Sequence, residues 1–192
     1  MSAFLDTTTG MGLAGATGVR SYLPPLLAGA LARSDTGIDF DGTDWHFMES
    51  TGFLGALFAL AVIMYVVERS GPNRRAVELF SGTMGLVLGA MLFAGALADG
   101  GSASWPGLIG GAVCAGLGWR AVGDLLERTR ARLDAGPAVL LTAYADIAAL
   151  VLAAVAIFVP PVSILMIVAF VVLLAGGQRR EGEKYAGLRV LR

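Results

Sequence analysis

The segment AVLLTAYADIAALVLAAVAIFV, residues 138–159, holds a single ionisable residue, Asp146. A helix that crosses a bilayer needs about 20 mostly apolar residues at about 1.5 Å each, so this segment is long enough to span one. Only 15% of the 192 residues are charged and 56% are hydrophobic, whereas about a quarter of a soluble domain is charged. The sequence therefore predicts a polytopic membrane protein.

Five further segments have comparable length and hydropathy, which predicts an all-α membrane bundle of six transmembrane helices. The six predicted spans cover about 8–32, 51–68, 77–98, 105–126, 138–159 and 161–177. Together they form a single transmembrane domain at 1–178, followed by a basic cytoplasmic tail at 179–192. Gly-Pro or Pro-Pro pairs mark three of the turns, since proline removes a backbone donor.

The basic residues lie almost entirely on one side of the predicted spans. Eleven of them lie in the connections near 69–75 and 128–132 or in the tail. The other connections, at 33–50, 99–104 and 160–161, hold only Arg33. Because cytoplasmic loops carry an excess of Lys and Arg, both termini are predicted to be cytoplasmic. The N-terminal residues contain no Lys or Arg before the first apolar run, so no cleaved signal peptide is predicted.

The fourth predicted span repeats features of the first. Gly10, Gly18 and Arg20 each have an identical counterpart one hundred residues later. Small residues at every fourth position let two backbones approach closely in lipid, so these two spans are predicted to cross. A repeat of three helices, an odd number, predicts two inverted repeats at about 8–98 and 105–177, an arrangement common among transporters.

Two consecutive prolines, Pro24-Pro25, interrupt the first predicted span. Two interpretations are open: a proline kink, or a break whose freed backbone groups face a cavity. Arg20 lies beside them, roughly 18 Å from the predicted inner end of the span. The sequence therefore combines a helix interruption with a cation deep in the bilayer.

An ionisable residue within the bilayer costs roughly 2.5–3.5 kcal/mol on insertion scales, so Arg20 is expected to have a compensating partner. Three partners are available: Asp146 across the bundle, carbonyls freed near the prolines, or an anionic ligand. Thr17, Ser21 and Tyr22 lie nearby and are predicted to complete a small polar pocket, and Pro24 is predicted to belong to the binding site. Arg20 and Asp146 are accordingly the main predicted site residues.

Arg120 and Glu68 are further ionisable residues within the predicted spans. Arg120 is predicted to join the binding site, and it has two available partners, Asp146 and, one helical turn away, Asp124. Glu68 ends the second span, where it either serves as a charge partner or reaches into water. Asp124 and Glu68 are thus the predicted charge partners of the site.

The connection at 33–50 is acidic and contains the run DFDGTD, residues 39–44. Oxygen ligands at alternate positions around a glycine suit Ca²⁺, so Asp39, Asp41 and Asp44 form a candidate site for a divalent cation. The alternative is an acidic external loop without a metal. No other cofactor is predicted.

The run GLAGATGVRSYLPPLL, followed by a helix that ends in VVERSGPN, resembles the domain-of-unknown-function 4126 group of small prokaryotic integral membrane proteins. Its most specific part is carried by Gly18, Arg20, Tyr22, Leu23 and Pro24. The resemblance implies a multi-pass protein of a prokaryotic plasma membrane. It implies no activity.

These features predict a small transporter or channel for an anionic or ion-coupled solute, with a buried arginine at the site. The alternatives are a lipid-headgroup flippase or scramblase and a non-catalytic membrane assembly subunit. No enzyme is predicted, because the chain has no metalloprotease, nucleophile-elbow or phosphate-loop motif. The basic tail suits lipid headgroups better than nucleic acid, and so small a bundle is predicted to form a homo-oligomer.

Overall fold

The computed structural model describes residues 3–70, 74–130 and 135–186, whose regular structure is entirely helical. Its elements are α1 (Ala3–Val19), α2 (Leu23–Ala32), a 3-10 helix (His46–Glu49), α3 (Thr51–Ser70), α4 (Arg74–Asp99), α5 (Trp105–Arg130), α6 (Ala135–Phe158) and α7 (Val162–Ala186). The all-α prediction is confirmed. The predicted tail at 179–192 continues α7 as far as Ala186, and its last six residues lie outside the described part of the chain.

The first predicted span folds as two helices rather than one. α1 runs antiparallel to α4, since Asp6 lies against Gly100 at one end and the Ser21 hydroxyl donates to the Ser81 carbonyl at the other. The 17 residues of α1 make it about 25 Å long. Its last turn therefore lies inside the bundle, beside the second turn of α4.

The second of these helices, α2, returns toward the end of the bundle at which α1 began. The Arg33 guanidinium, directly after α2, donates to the Thr51 hydroxyl at the start of α3. Phe40, in the connection that follows α2, lies against Gly95 near the end of α4. α1 and α2 therefore form a helical hairpin whose tip is at residues 20–22.

The two prolines explain where the hairpin turns. Pro24 and Pro25 lie in the first turn of α2, where a helix has no use for their missing N–H groups. If α1 continued through them, the carbonyls of Arg20 and Ser21 would lose their donors and meet the proline rings. α1 therefore ends at Val19, and the predicted interruption is a break that lies just before the prolines.

α1 and α5 cross with their backbones in contact. A Cβ atom on Gly18 would collide with the Ala115 carbonyl, and one on Gly118 would collide with the Gly15 carbonyl. Only glycine leaves room for two backbones at this distance. The prediction that the first and fourth spans cross through small residues is confirmed at these positions.

The directions of the helices correct the predicted repeat. α5 is antiparallel to α4, because Gly107 lies against Ala94 and Gly82 lies against Trp119. Since α1 is antiparallel to α4 as well, α1 and α5 run the same way, whereas helices related by an inverted repeat run in opposite directions. The predicted inverted three-helix repeats are not supported, because they counted the hairpin as one crossing.

The start of α1 and the end of α7 lie at opposite ends of the bundle. Gly12 in α1 lies against Ser163 at the start of α7, whereas Gly177, late in α7, lies against Arg128 near the end of α5. The prediction that both termini share one side assumed six crossings. A hairpin that starts and finishes at the same end of the bundle removes one of them, and the side of the membrane that each terminus occupies stays a prediction.

Three helices are long and apolar enough to span a membrane, by the stretches Thr51–Glu68, Arg75–Asp99 and Leu140–Phe158. α2 and the 162–177 part of α7 are apolar but shorter. Large apolar side chains point outward from these helices, including Phe58 on α3 and Leu165 on α7, as expected of surfaces in contact with lipid. Of the six predicted spans, the second, third and fifth are both long enough and apolar enough among the described residues.

The connection between α2 and α3 is packed into the bundle. Phe40 is fully buried, and its backbone N–H donates to the Glu49 carboxylate at 2.5 Å. Glu49 is itself buried at the end of the 3-10 helix. Burial raises the pKa of the Glu49 carboxyl group, since desolvation of the charge outweighs the opposing effect of the Phe40 N–H.

We expect this carboxyl group to make thermal unfolding pH-dependent. Because folding raises the pKa of Glu49, the folded chain binds its proton more tightly than the unfolded chain does. The resulting stability is fully present below the unfolded pKa and is lost as the pH rises through the folded pKa. The midpoint temperature of unfolding in detergent should therefore fall as the pH rises from the unfolded to the folded pKa of Glu49. In a Glu49→Gln variant it should fall less steeply. An unchanged slope in that variant would contradict the assignment.

Candidate functional site

The hairpin tip carries Arg20 into contact with two carboxylates from two other helices. Its Nη1 donates to Oε1 of Glu68 in α3 at 3.1 Å, and its Nε lies 2.5 Å from Oδ1 of Asp146 in α6. The Nε contact is an ion pair without the alignment of a hydrogen bond. Three charged groups from α3, α6 and the tip thus form one cluster, called the tip cluster below.

The charges of the tip cluster do not cancel. One guanidinium faces two carboxylates, so the cluster has a formal charge of −1 when all three groups are ionised. The Arg20, Glu68 and Asp146 side chains are 21%, 29% and 31% exposed, which leaves each of them partly accessible. A group of this kind can accept a proton or a small cation without taking up a counter-anion.

Polar contacts with α4 hold the tip in place. The Ser21 hydroxyl donates to the Ser81 carbonyl at 2.5 Å, and the Tyr22 hydroxyl lies 3.5 Å from the Ser81 hydroxyl. The Arg20 N–H still donates to the Ala16 carbonyl, as in the last turn of a helix. The tip is therefore bound to α4 through its backbone and its hydroxyl groups, while the guanidinium points toward α3 and α6.

The depth of the tip explains why the sequence names Glu68 as a charge partner of the site without pairing it with Arg20. If the first helix spans the membrane, the depth of Arg20 along it is the depth of an uncharged part of the second span. In the hairpin, Arg20 is instead at the innermost point of its segment, and Glu68 lies in the last turn of α3. Asp146 is eleven residues into α6, about 16 Å from the same end.

The other residues predicted to line the pocket are buried in or beside the tip. The Thr17 hydroxyl is fully buried and donates to the Leu13 carbonyl of its own helix. Tyr22 is buried against α3 and α4 and contacts Ser81 through its hydroxyl. Pro24 is fully buried at the start of α2. These residues surround the tip, whose charged groups are those of the tip cluster.

The fate of Arg120 differs from the prediction. Arg120 is exposed on α5, and neither Asp146 nor Asp124 forms an ion pair with it among the described residues. Asp146 is engaged by Arg20 instead, and Asp124 pairs with Arg128 one turn later at 3.8 Å. Both predicted partners of Arg120 therefore pair with other residues, Asp146 with Arg20 at the hairpin tip and Asp124 with Arg128.

The acidic residues of the connection at 33–50 form a different group from the predicted one. Carboxylate oxygens of Asp35, Asp39 and Asp41 all lie within 4.8 Å of one another. Asp44 is not part of this group. Asp35 belongs to it instead, and the chain turns at this residue with a positive φ of 51°, which the alternating pattern of the sequence does not indicate.

Three helices long and apolar enough to span a membrane suggest a membrane protein of unknown function, with a hairpin that carries an ion-paired arginine at its tip. The chain belongs to the family described as Domain of unknown function (DUF4126), whose family model matches residues 7–179. The resemblance carried by residues 18–24 is thereby confirmed. No curated protein and no solved structure is significantly similar.

Proposed function

We propose that this protein is a small ion-coupled transporter or channel in which the tip cluster binds and releases a proton. One observation carries the proposal: Arg20, at the tip of a re-entrant hairpin, is shared by Glu68 and Asp146 from two other helices. Re-entrant segments within a membrane protein are tolerated where they are buried in protein or line a water-filled cavity. Ionisable groups at such positions are characteristic of ion and proton pathways.

The excess negative charge favours a proton over an anion. An anionic solute would have to displace a carboxylate from Arg20, at the cost of leaving that carboxylate without its partner. A proton on Asp146 instead brings the cluster to neutrality and weakens its hold on Arg20. Between the two sequence-based options, an anionic or an ion-coupled solute, the geometry supports the ion-coupled one.

The position of the tip suits a moving part. Its two legs are joined only by the short turn at 20–22, and Arg20 connects that turn to α3 and α6 at once. Loss of the Asp146 contact would free one side of the tip while the Ser21–Ser81 hydrogen bond still holds it to α4. Protonation would thereby change how the hairpin packs against α6, which is how a titratable group can gate a pathway.

The distribution of basic residues supports an orientation for this pathway. The connections near 69–75 and 128–132 carry most of the basic residues outside the tail, so that end of the bundle would face the cytoplasm of a prokaryotic cell. The hairpin would then enter from the outside, with its tip in the inner half of the bundle. Lipid would surround the outward apolar faces of α3 and α7.

The test is proton movement in proteoliposomes that contain a pH-sensitive dye. With an imposed potential, the wild-type protein should acidify or alkalinise the lumen faster than empty liposomes, and Asp146→Asn should reduce the rate at least about tenfold, an order-of-magnitude expectation for loss of a proton relay group. Asp124→Asn is the matched control, because that aspartate pairs only with Arg128 in the described structure. An Asp146→Asn protein with wild-type flux would refute the proposal.

A further inference from the structure

The two carboxylates of the tip cluster come from helices that do not touch each other. Glu68 lies in the last turn of α3 and Asp146 lies in α6, and α2 is the one helix of the described chain that packs against both. α2 begins at Leu23, directly after the tip. Beyond the tip, no described helix joins α3 to α6, so the tip cluster lies at an opening between these two helices.

Apolar side chains border this opening on both helices. Tyr65 and Val66 precede Glu68 by about one turn of α3, and Ile147 follows Asp146 in α6. All three side chains are exposed. Where α3 and α6 cross a membrane, such surfaces face lipid. A ligand that reaches the tip cluster between the two helices therefore needs an apolar surface of its own.

Two tyrosines lie next to the charges of the tip cluster. Tyr22, at the start of α2, is near enough to Glu68 and Arg20 to interact with both charges, and Tyr65 lies one turn before Glu68. Aromatic rings attract organic cations through their negative faces. A metal ion needs oxygen ligands on most sides instead, so carboxylates beside aromatic rings favour an organic cation.

The charge of the tip cluster limits the charge of its ligand. One guanidinium and two carboxylates leave a formal charge of −1, which one monovalent cation neutralises. A divalent cation would leave a surplus positive charge, and an anion would add to the negative one; both outcomes are costly away from water. The ligand that fits is therefore a monovalent cation.

We infer that the tip cluster binds a monovalent organic cation with an apolar body, such as a substituted ammonium or phosphonium ion, which enters between α3 and α6. The inference rests on the proposed proton site, because cation and proton would neutralise the same two carboxylates. Binding of one would therefore oppose binding of the other. The coupled solute of the proposed transporter would be a lipophilic cation that is exchanged for a proton.

The pH dependence of binding follows from the groups at the tip. The charged and titratable groups that the described helices place there are Arg20, Tyr22, Glu68 and Asp146, and α4 adds the Ser81 hydroxyl, which does not titrate. Protonation of either carboxyl group makes the cluster neutral. Binding of the cation should therefore weaken as the pH is lowered.

The experiment uses tetraphenylphosphonium as the probe and tetraphenylborate as its control, because the two ions have similar size and shape but opposite charge. Equilibrium dialysis against the full-length protein in detergent, with protein-free micelles as the blank, should show saturable binding of the phosphonium alone. Glu68→Gln and Asp146→Asn should each weaken this binding at least about tenfold, since each leaves a neutral cluster. Asp124→Asn should bind like the wild type, because that aspartate pairs with Arg128.

Glu68 is exposed in the last turn of α3, so Glu68→Gln should fold even if Asp146→Asn does not. Three results would each overturn the inference: no saturable binding of the phosphonium to the wild type, equal affinity for the borate, or equal affinity of the Glu68→Gln and Asp124→Asn proteins. Proton flux without phosphonium binding would remove this ligand and leave the proposed function. Phosphonium binding by a wild-type protein that moves no protons would refute the proposed function and leave the ligand.

Discussion

Gly18→Ala should destabilise the bundle severely, although it adds only one methyl group. The new Cβ would overlap the Ala115 carbonyl oxygen far inside van der Waals contact, and the nearest atoms are all backbone. No side-chain rotation can relieve that contact, so α1 and α5 must move apart and lose packing along their length. Overpacking commonly costs 1–3 kcal/mol, and we expect about 3 kcal/mol or more here because the obstacle is a helix backbone.

Thermal unfolding in detergent measures this effect, with a glycine of α5 as the matched control. Gly123 has no atom within 4 Å of the position of a Cβ, so Gly123→Ala should be neutral or stabilising by up to about 1 kcal/mol, since alanine favours a helix. The midpoint for Gly18→Ala should fall by roughly 6–12 °C, at about 2–4 °C per kcal/mol in a chain of this size. Equal midpoints for the two variants would contradict the crossing.

Arg20→Ala should abolish ion movement and also lower stability. Removing the guanidinium leaves Glu68 and Asp146 facing each other as like charges at the hairpin tip. Because all three side chains keep partial exposure, the cost should lie between that of a surface pair and that of a buried pair, about 1–3 kcal/mol. The purified variant should therefore fold, with a lower unfolding midpoint and no proton flux in liposomes.

A neutral version of the cluster separates a structural role from a functional one. The triple variant Arg20→Gln, Glu68→Gln, Asp146→Asn removes all three charges but keeps side chains of similar size. It should recover most of the stability that Arg20→Ala loses, because no charge is left without a partner. It should remain without proton flux. Flux at the wild-type rate in the triple variant would show that the cluster only holds the fold together.

Arg120→Gln is the control variant, because it removes an arginine that lies outside the tip cluster. Arg120 is exposed on α5 and forms no ion pair in the described structure. Its replacement should leave both the unfolding midpoint and the flux close to those of the wild type, since surface substitutions usually change stability by less than about 0.5 kcal/mol. A defect as large as that of Arg20→Ala would mean that the tip cluster is not the relevant site.

The helices themselves follow from local properties that the sequence displays. The nearly uncharged run at 138–159 became α6, Ala135–Phe158, because its length and hydropathy allow few other structures. The glycines at 18 and 118 predicted a close crossing for a similar reason, since only residues without a side chain permit it. α5 extends to Arg130, four residues past its prediction, because a helix can continue beyond its apolar part.

The direction of the chain after Val19 does not follow from local properties of the sequence. Pro24-Pro25 are equally compatible with a kink and with the first turn of a new helix, and the choice depends on contacts with distant residues such as Ser81 and Thr51. The predicted depth of Arg20, the inverted repeat and the side of the N-terminus all assume a first helix that spans the membrane, so none of them follows once the chain turns after Val19. For the same reason the sequence does not indicate Glu68 as the partner of Arg20.

The central claim is that Arg20 lies at the tip of a re-entrant hairpin, and labelling of single cysteines tests it most directly. The chain has one cysteine, Cys114, so a Cys114→Ser background accepts one new cysteine at a time: Phe4→Cys at the start of α1, Asp41→Cys after α2, or Arg75→Cys at the start of α4. All three positions are exposed. Sealed vesicles of one orientation are treated with a membrane-impermeant maleimide before and after permeabilisation.

The hairpin predicts that the cysteines at positions 4 and 41 react from the same side of the membrane and the cysteine at 75 from the other. A first helix that crosses the membrane predicts instead that positions 4 and 75 share a side. If Phe4→Cys is labelled together with Arg75→Cys, and apart from Asp41→Cys, the hairpin and the site built on its tip are wrong.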